Sequence, residues 1–386
     1  MNETINLEEY TLITTYLLDS IRHTPNLKMG RVHLEFKTIP TEKLSTLRLL
    51  GGDTINNFDD IYYMVKDNIA TVYSDKRFML RSYNAGLVNT FYEMDFTDVD
   101  LSQCTEFKIS RHLLQTVILK NNDIRQIKIG YSNLLSSIDL KKIVIDNVQF
   151  NPEASAEGMI SGAITGAPGF NTEVYINNPI GLDKHKIISN ASLGSLQLLN
   201  FDYDCTVISN CGIQNAVIDT FSIAARISHS DITYLRINNY ASVDLFWAFL
   251  HTFCHVLVID NLNMIKSDTV EEHTINSSGY VEIDRIKINH ADFNNKNNLS
   301  IFDGVMCDKV DISTCKIDSK TKCRLFFACK IQTLQVSQEQ YDMIMNMINK
   351  QSNKTVSNVE VVGGVYMNDS RTFNIQRLKV TLDRAG

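Results

Sequence analysis

The sequence predicts an α/β solenoid, a curved stack of turns that each carry one inward-facing strand and a helical or irregular return segment. Three observations predict it. First, Leu114-Gln-Thr-Val117-Ile-Leu119-Lys-Asn-Asn122-Asp-Ile124 places its apolar residues at L-x-x-L-x-L-x-x-N-x-L, in which the pair two apart makes a short strand with both side chains inward. Second, windows of the same spacing begin at Phe91, Leu114, Leu140, Asn171, Leu193, Ile213, Ile232, Cys254, Ile283, Cys307, Ile331, Val356 and Ile375, at intervals of 19 to 31 residues. With 44% apolar residues a single match arises by chance, but chance would scatter the intervals. Third, Asp244-Leu-Phe-Trp-Ala-Phe-Leu-His-Thr-Phe and Glu339-Gln-Tyr-Asp-Met-Ile-Met-Asn-Met-Ile-Asn, rich in long unbranched residues, read as helices between strands. Helical returns favour this fold over a right-handed parallel β-helix, the alternative architecture, whose turns are built from several strands.

The repeating unit resembles the leucine-rich repeat. The match is best at Leu114 and at Cys307-Asp-Lys-Val310-Asp-Ile312-Ser-Thr-Cys315-Lys-Ile317, where Cys315 stands at the place usually held by Asn or Cys. It covers Phe91 to the C-terminus, with a decayed start at Leu44-Ser-Thr-Leu47-Arg-Leu49 and another near Ile69. Elsewhere that place holds Val148, Phe201, Phe221, Tyr240, Leu262 and Ala291. There the bends are expected to close through Asp146, Asn177, Asp219, Asn238, Asp260 and Asn289, directly after each strand, by turn-type bonds to nearby backbone. The resemblance points to no named subfamily, and it implies a protein-binding role without catalysis.

Residues 1–68 are expected to form an N-terminal α/β cap, because the first turn of a solenoid would otherwise expose an apolar end. Leu7, Tyr10, Leu17, Leu18 and Ile21 approximate a helical face, Arg31-Val-His-Leu-Glu-Phe-Lys alternates like a strand, and Asn57 to Lys66 looks like a second helix or a return segment. Residues 69–386 are then the solenoid. Two intervals are long: 151–170, glycine-rich, is expected to be an excursion loop, and 266–279 a polar loop. Insertions of this kind often take part in binding.

A chain of 386 residues exceeds a single globular core, which a solenoid does not need. Five prolines, seventeen glycines and no low-complexity run argue for order throughout. The net charge of -7 gives no reason to expect nucleic acid or an anionic membrane. The first residues lack a signal-peptide pattern and no apolar stretch reaches bilayer length, so a cytoplasmic protein is expected, with the virion as the alternative compartment. The eight cysteines then read as reduced thiols, with Cys254, Cys307 and Cys315 as core candidates, and no spacing among them matches a zinc site.

No constellation of residues requires an active site. The glycines of 151–169 lack the G-x-x-x-x-G-K-[ST] pattern, the nine histidines are scattered, and no cofactor or metal is expected. Neighbouring outward carboxylates would suit a β-helix that binds or cleaves polysaccharide, but the middle outward column of the predicted strands brings no two together. That column reads Asp95, Ile118, Val144, Tyr175, Gln197, Val217, Arg236, Val258, Lys287, Asp311, Gln335, Glu360 and Lys379. Ile118, Val144, Tyr175, Val217 and Val258, with Tyr234 and Val256 beside them, are apolar where solvent is expected, so they are the candidate site for another protein. Three functional expectations follow: a binding module, a structural subunit of a larger assembly such as a viral one, and a β-helix that binds or cleaves polysaccharide.

Overall fold

One turn shows how the rest is built. In the computed structural model, Leu114–Lys120 is a strand, Asn121 turns the corner with φ 52°, and Asp123–Ile124 and Ile127–Gly130 are two further strands. Val117 and Leu119 are fully buried and Ile118 between them is partly covered, as alternation on a pleated strand requires. The structure describes residues 10–13, 21, 31–37, 56–58, 61–67, 69–73, 77–80, 91–95, 97, 107–110, 114–124, 127–130, 142–150, 160–161, 172–180, 187–200, 206–222, 225–242, 248–264, 281–293, 302, 305–318, 321, 325–326, 329–349, 356–362 and 379–381. The chain divides into two units, Met1–Asn200 and Phe201–Gly386.

In the first unit the large sheet starts with Asn56–Phe58 and Ile61–Lys66, paired antiparallel up to Ile69–Tyr73, and then runs parallel through Arg31–Lys37, Phe91–Asp95, Leu114–Lys120, Lys142–Asp146 and Glu173–Asn177 to Ser192–Leu199. A second parallel sheet joins Phe107–Ser110, Ile127–Gly130, Ile160–Ser161 and Ile188–Ser189. Asp123–Ile124 pairs with Gln149–Phe150 on a third side. Two interior rows run along the stack, Val117–Ile143–Val174–Leu196 and Leu119–Ile145–Ile176–Leu198, each residue at most 1% exposed.

In the second unit the large sheet is Gly212–Phe221, Asp231–Ser242, Phe253–Met264, Glu282–Ala291, Met306–Asp311, Lys330–Val336 and Val356–Val361, all parallel. Lys379–Thr381 closes it by pairing antiparallel with Val356–Val361. Thr206–Ser209, Arg226–Ser228 and Phe249–Leu250 form the second sheet of this unit. Its interior rows are Ala216–Leu235–Leu257–Ile286–Val310–Leu334–Val359 and Ile218–Ile237–Ile259–Ile288. Phe249 from the second sheet lies 6.1 Å from Phe221, which meets Tyr240 edge-on at 5.2 Å, so stacked aromatics fill the space between the sheets.

The architecture is therefore a parallel β-solenoid, the alternative that the spacing left open, and most described returns are strands rather than helices. Asp244 to Phe253 shows why. Its apolar residues form a continuous run without a helical stripe, and Phe249–Leu250 is drawn into the second sheet, where Phe249 is fully buried. Trp247 and Phe246 lie outside the described residues. The other expected helix is present as Gln338–Asn349, with Gln340, Ile344 and Ile348 buried along one stripe.

Near the N-terminus, Tyr10–Ile13 is a strand pairing with Arg77–Leu80 where a helical face was expected. Its neighbourhood is rich in β-branched residues, Thr11, Ile13, Thr14 and Thr15, which favour extended backbone. Ile21 is helical and buried, whereas Leu7, Leu17 and Leu18 lie outside the described residues. Arg31–Lys37 is the strand expected, but Asn57 to Lys66 is not a helix: Asn56–Phe58 and Ile61–Lys66 form an antiparallel pair. Within 151–170 a two-residue strand, Ile160–Ser161, joins the second sheet, and the remainder, like 266–279, lies outside the described residues. Cys254, Cys307 and Cys315 are buried free thiols, as are Cys211 and Cys329.

Candidate partner-binding face

Corners set the register of the face. Asn121, Asn147, Asn178 and Asn200 in the first unit all hold φ between 46° and 52°, the left-handed region that Asn tolerates better than other side-chain-bearing residues. From each of the first three, the backbone N–H donates to the strand-end carbonyl of the following turn: Asn121 to Asp146 at 3.0 Å, Asn147 to Asn177 at 3.1 Å and Asn178 to Leu199 at 3.1 Å. In the second unit Asn210 and His229 do the same to Ser228 and Leu250, at 3.0 and 2.8 Å. In the first unit the face strands ending at Lys120, Asp146, Asn177 and Leu199 thus leave by the same kind of corner, whereas in the second unit the corners at Asn210 and His229 precede the face strands Gly212–Phe221 and Asp231–Ser242.

The residues expected to close the bends through local backbone instead bond from turn to turn. Asn177 Nδ2 donates to Asp146 Oδ1 at 2.8 Å across 31 residues, Asn238 Nδ2 to Asp219 Oδ1 at 3.0 Å across 19, and Asn289 Nδ2 to Asp260 Oδ1 at 2.7 Å across 29. An acid faces an amide each time, so no two like charges adjoin along the ladder. Beside it, Asn239, Asn261, His290 and Thr314 reach the backbone carbonyls of Asp219, Asn238, Asp260 and Asn289 in the preceding turn. In the best-matching first window Asn122 is buried after the Asn121 corner, and its carbonyl accepts the Gln149 N–H at 2.8 Å.

The outward column has the register that the sequence spacing implies. In the first unit Asp95, Ile118, Val144, Tyr175 and Gln197 are successive partners. In the second, Val217, Arg236, Val258, Lys287, Asp311, Gln335 and Glu360 are partners, with Lys379 opposite Glu360 on the reversed strand. Ile118, Val144 and Tyr175 make an uninterrupted apolar line, half-covered, with exposed Lys142 and Glu173 in the flanking row. In the second unit Arg236 separates Val217 from Val258, while Tyr234 and Val256 are direct partners one row away. All seven candidate residues are partly exposed.

Sequence reasoning missed the charged frame around this second patch. Arg236 reaches Asp260 Oδ2 through Nε and a terminal nitrogen, each at 2.7 Å, and Asn289 holds the other carboxylate oxygen. Burial pushes the Asp260 pKa up, but the hydrogen bonds from Arg236 and Asn289 and the Arg236 charge outweigh it, leaving the carboxyl below its ordinary value. His255 Nδ1 lies 2.7 Å from Asp284 Oδ2, with Phe253 edge-on to the imidazole at 4.6 Å. Because these pairs join residues 24 and 29 apart, only the turn-to-turn register could have revealed them.

Among the described residues no group of three or more His, Cys, Asp or Glu is placed to hold a metal ion, and no helix is long and apolar enough to cross a membrane. No protein-family model, no curated protein and no solved structure matches this chain.

Proposed function

We propose that the chain is a non-enzymatic binding module that engages another protein through the outward face of its large sheet. The carrying observation is the line Ile118–Val144–Tyr175, three apolar side chains in register on a face that the rest of the described unit leaves half-covered. Single apolar residues on a surface need no explanation, whereas aligned ones rimmed by charge suit an interface core and its rim. Tyr234, Val256, Val217 and Val258 offer a comparable, interrupted patch on the second unit. The site needs no cofactor, and a cytoplasmic setting suits the buried free thiols.

A pull-down comparing the intact chain with Val144→Asp and Val258→Asp tests this, with circular dichroism confirming that both variants fold. Loss of the captured partner is expected, since a carboxylate in an interface core is costly to desolvate. Capture that survives both substitutions would move binding to 151–170 and 266–279.

A second reading, a rigid subunit of a larger assembly, is favoured by the side-chain ladders that tie turn to turn. Size-exclusion chromatography with light scattering separates the two: a monomer that takes up one partner supports the module, and obligate self-assembly supports the subunit.

A further inference from the structure

Three cations from two neighbouring strands meet on the face of the second unit. Arg285 and Lys309 are direct partners in neighbouring strands, and Lys287, two residues beyond Arg285, lies on the same side of the sheet. Parallel strands lie about 4.8 Å apart, and like charges directly opposite each other work against pairing. None of the three forms an ion pair among the described residues. Nearby acids are engaged elsewhere: Asp284 with His255, Asp260 with Arg236 and Asn289, and Asp311, the partner of Lys287, with the Ser313 N–H at 3.0 Å and hydroxyl at 2.7 Å. Asp308 and Glu282 are exposed and form no ion pair among the described residues.

The two rows that carry these cations turn apolar on the preceding turns. Arg285 follows Val256 and Tyr234, and Lys287 follows Val258. An apolar half and a cationic half therefore adjoin, with their rows in register.

We infer that this face takes an acidic, aromatic-containing segment of a partner protein. Its apolar side chain covers Tyr234, Val256 and Val258 while its carboxylates meet Arg285, Lys287 and Lys309. This rests on the proposed binding role and supplies the partner's chemistry. A peptide fits better than a nucleic acid or a sulfated glycan, because a polyanion needs a track of cations. Here Glu282 and Asp308 flank three, and the chain as a whole is at -7. A peptide pairs with the cations locally and also covers the apolar half.

The test is fluorescence anisotropy on the full chain with a labelled glutamate–tyrosine copolymer as probe, beside a labelled heparin oligosaccharide and a single-stranded oligonucleotide. The copolymer is expected to bind, to release with salt, and to bind at least about tenfold more weakly to the double variant Arg285→Gln/Lys309→Gln, while Lys309→Arg retains binding. No binding, binding indifferent to the double variant, or tighter binding of heparin or the oligonucleotide overturns the inference. Its failure is distinct from that of the binding face itself. Partner capture that survives Arg285→Gln/Lys309→Gln but is lost with Val258→Asp removes the acidic partner and keeps the face; capture that survives Val258→Asp as well removes both.

Discussion

Arg236 and Asp260, one turn apart on the large sheet, share a single carboxylate oxygen at 2.7 Å from two guanidinium nitrogens, and Asn289 from the next turn takes the other oxygen at 2.7 Å. Three successive turns are thereby joined through one side chain.

The link is pH-dependent with a definite sign. Because the folded pKa of Asp260 is below its ordinary 3.8, the ionised carboxylate contributes stability that is complete above that value and is lost as pH falls through the depressed one. Asp260→Asn should melt lower than the wild type near neutral pH, by about 1 kcal/mol given the exposure of Arg236. The two melting temperatures should converge as pH is lowered below 3.8, and parallel curves would refute the assignment.

Corner residues can be told apart by backbone cost. Asn178 holds φ 46° and donates from Nδ2 to Asn147 Oδ1 at 2.7 Å. Asn178→Gly keeps the backbone conformation and gives up one exposed hydrogen bond, so it should cost less than about 1 kcal/mol. Asn178→Val adds a β-branched side chain in the left-handed region and should cost about 1–3 kcal/mol. Equal urea midpoints for the two variants would show that the corner is not under backbone control.

The thiols of Cys254, Cys307 and Cys315 should be silent in the folded protein. Burial pushes each up to about 12, so the reactive thiolate is scarce at any ordinary pH. Mass spectrometry after iodoacetamide at pH 8 is expected to find these three unmodified without urea and modified with it.

Gln340 joins its helix to the turn before. Its Nε2 donates to the Ile312 carbonyl at 3.1 Å and to that of Cys315, while its Oε1 accepts the Ser337 N–H at 2.8 Å and its own N–H donates to the Ser337 hydroxyl at 3.3 Å. The Ser337/Gln340 pair is a capping box whose amide also satisfies two carbonyls of the preceding turn. Gln340→Met, similar in volume, should cost about 2–3 kcal/mol in urea unfolding by leaving those groups unpaired. A change under about 0.5 kcal/mol would mean that water replaces the amide.

Side-chain direction was legible in the sequence, whereas the parts that join one strand to the next were not. Ile213, Ala216, Ile218 and Phe221 are buried, and the pairs between and after them, Gln214 with Asn215 and Asp219 with Thr220, face outward. The spacing three, two, three thus marks the inward side of a bent strand, whether a helix or another strand follows it. That is why the leucine-rich pattern yields the outward column in register while leaving the return undecided. The returns Ile188–Ser189 and Phe249–Leu250 are two residues long, too short to show a period of two. Their signal was present in another form: Ile208-Ser-Asn-Cys211 and Ile227-Ser-His-Ser230 repeat an apolar residue, a serine, a left-handed corner and a small residue. Periodicity of apolar residues does not detect such a motif, because its defining member is a backbone angle. The juxtaposition of Arg285 with Lys309 likewise emerges only from the strand pairing that sets them side by side.

Val359 faces Val380 on a strand that runs against all the parallel strands of its sheet. A coil of this kind lengthens only by laying down another segment in the same direction, and a backward-running final segment offers a template of opposite polarity. Growth into a filament by repeating the parallel winding is therefore blocked at that edge.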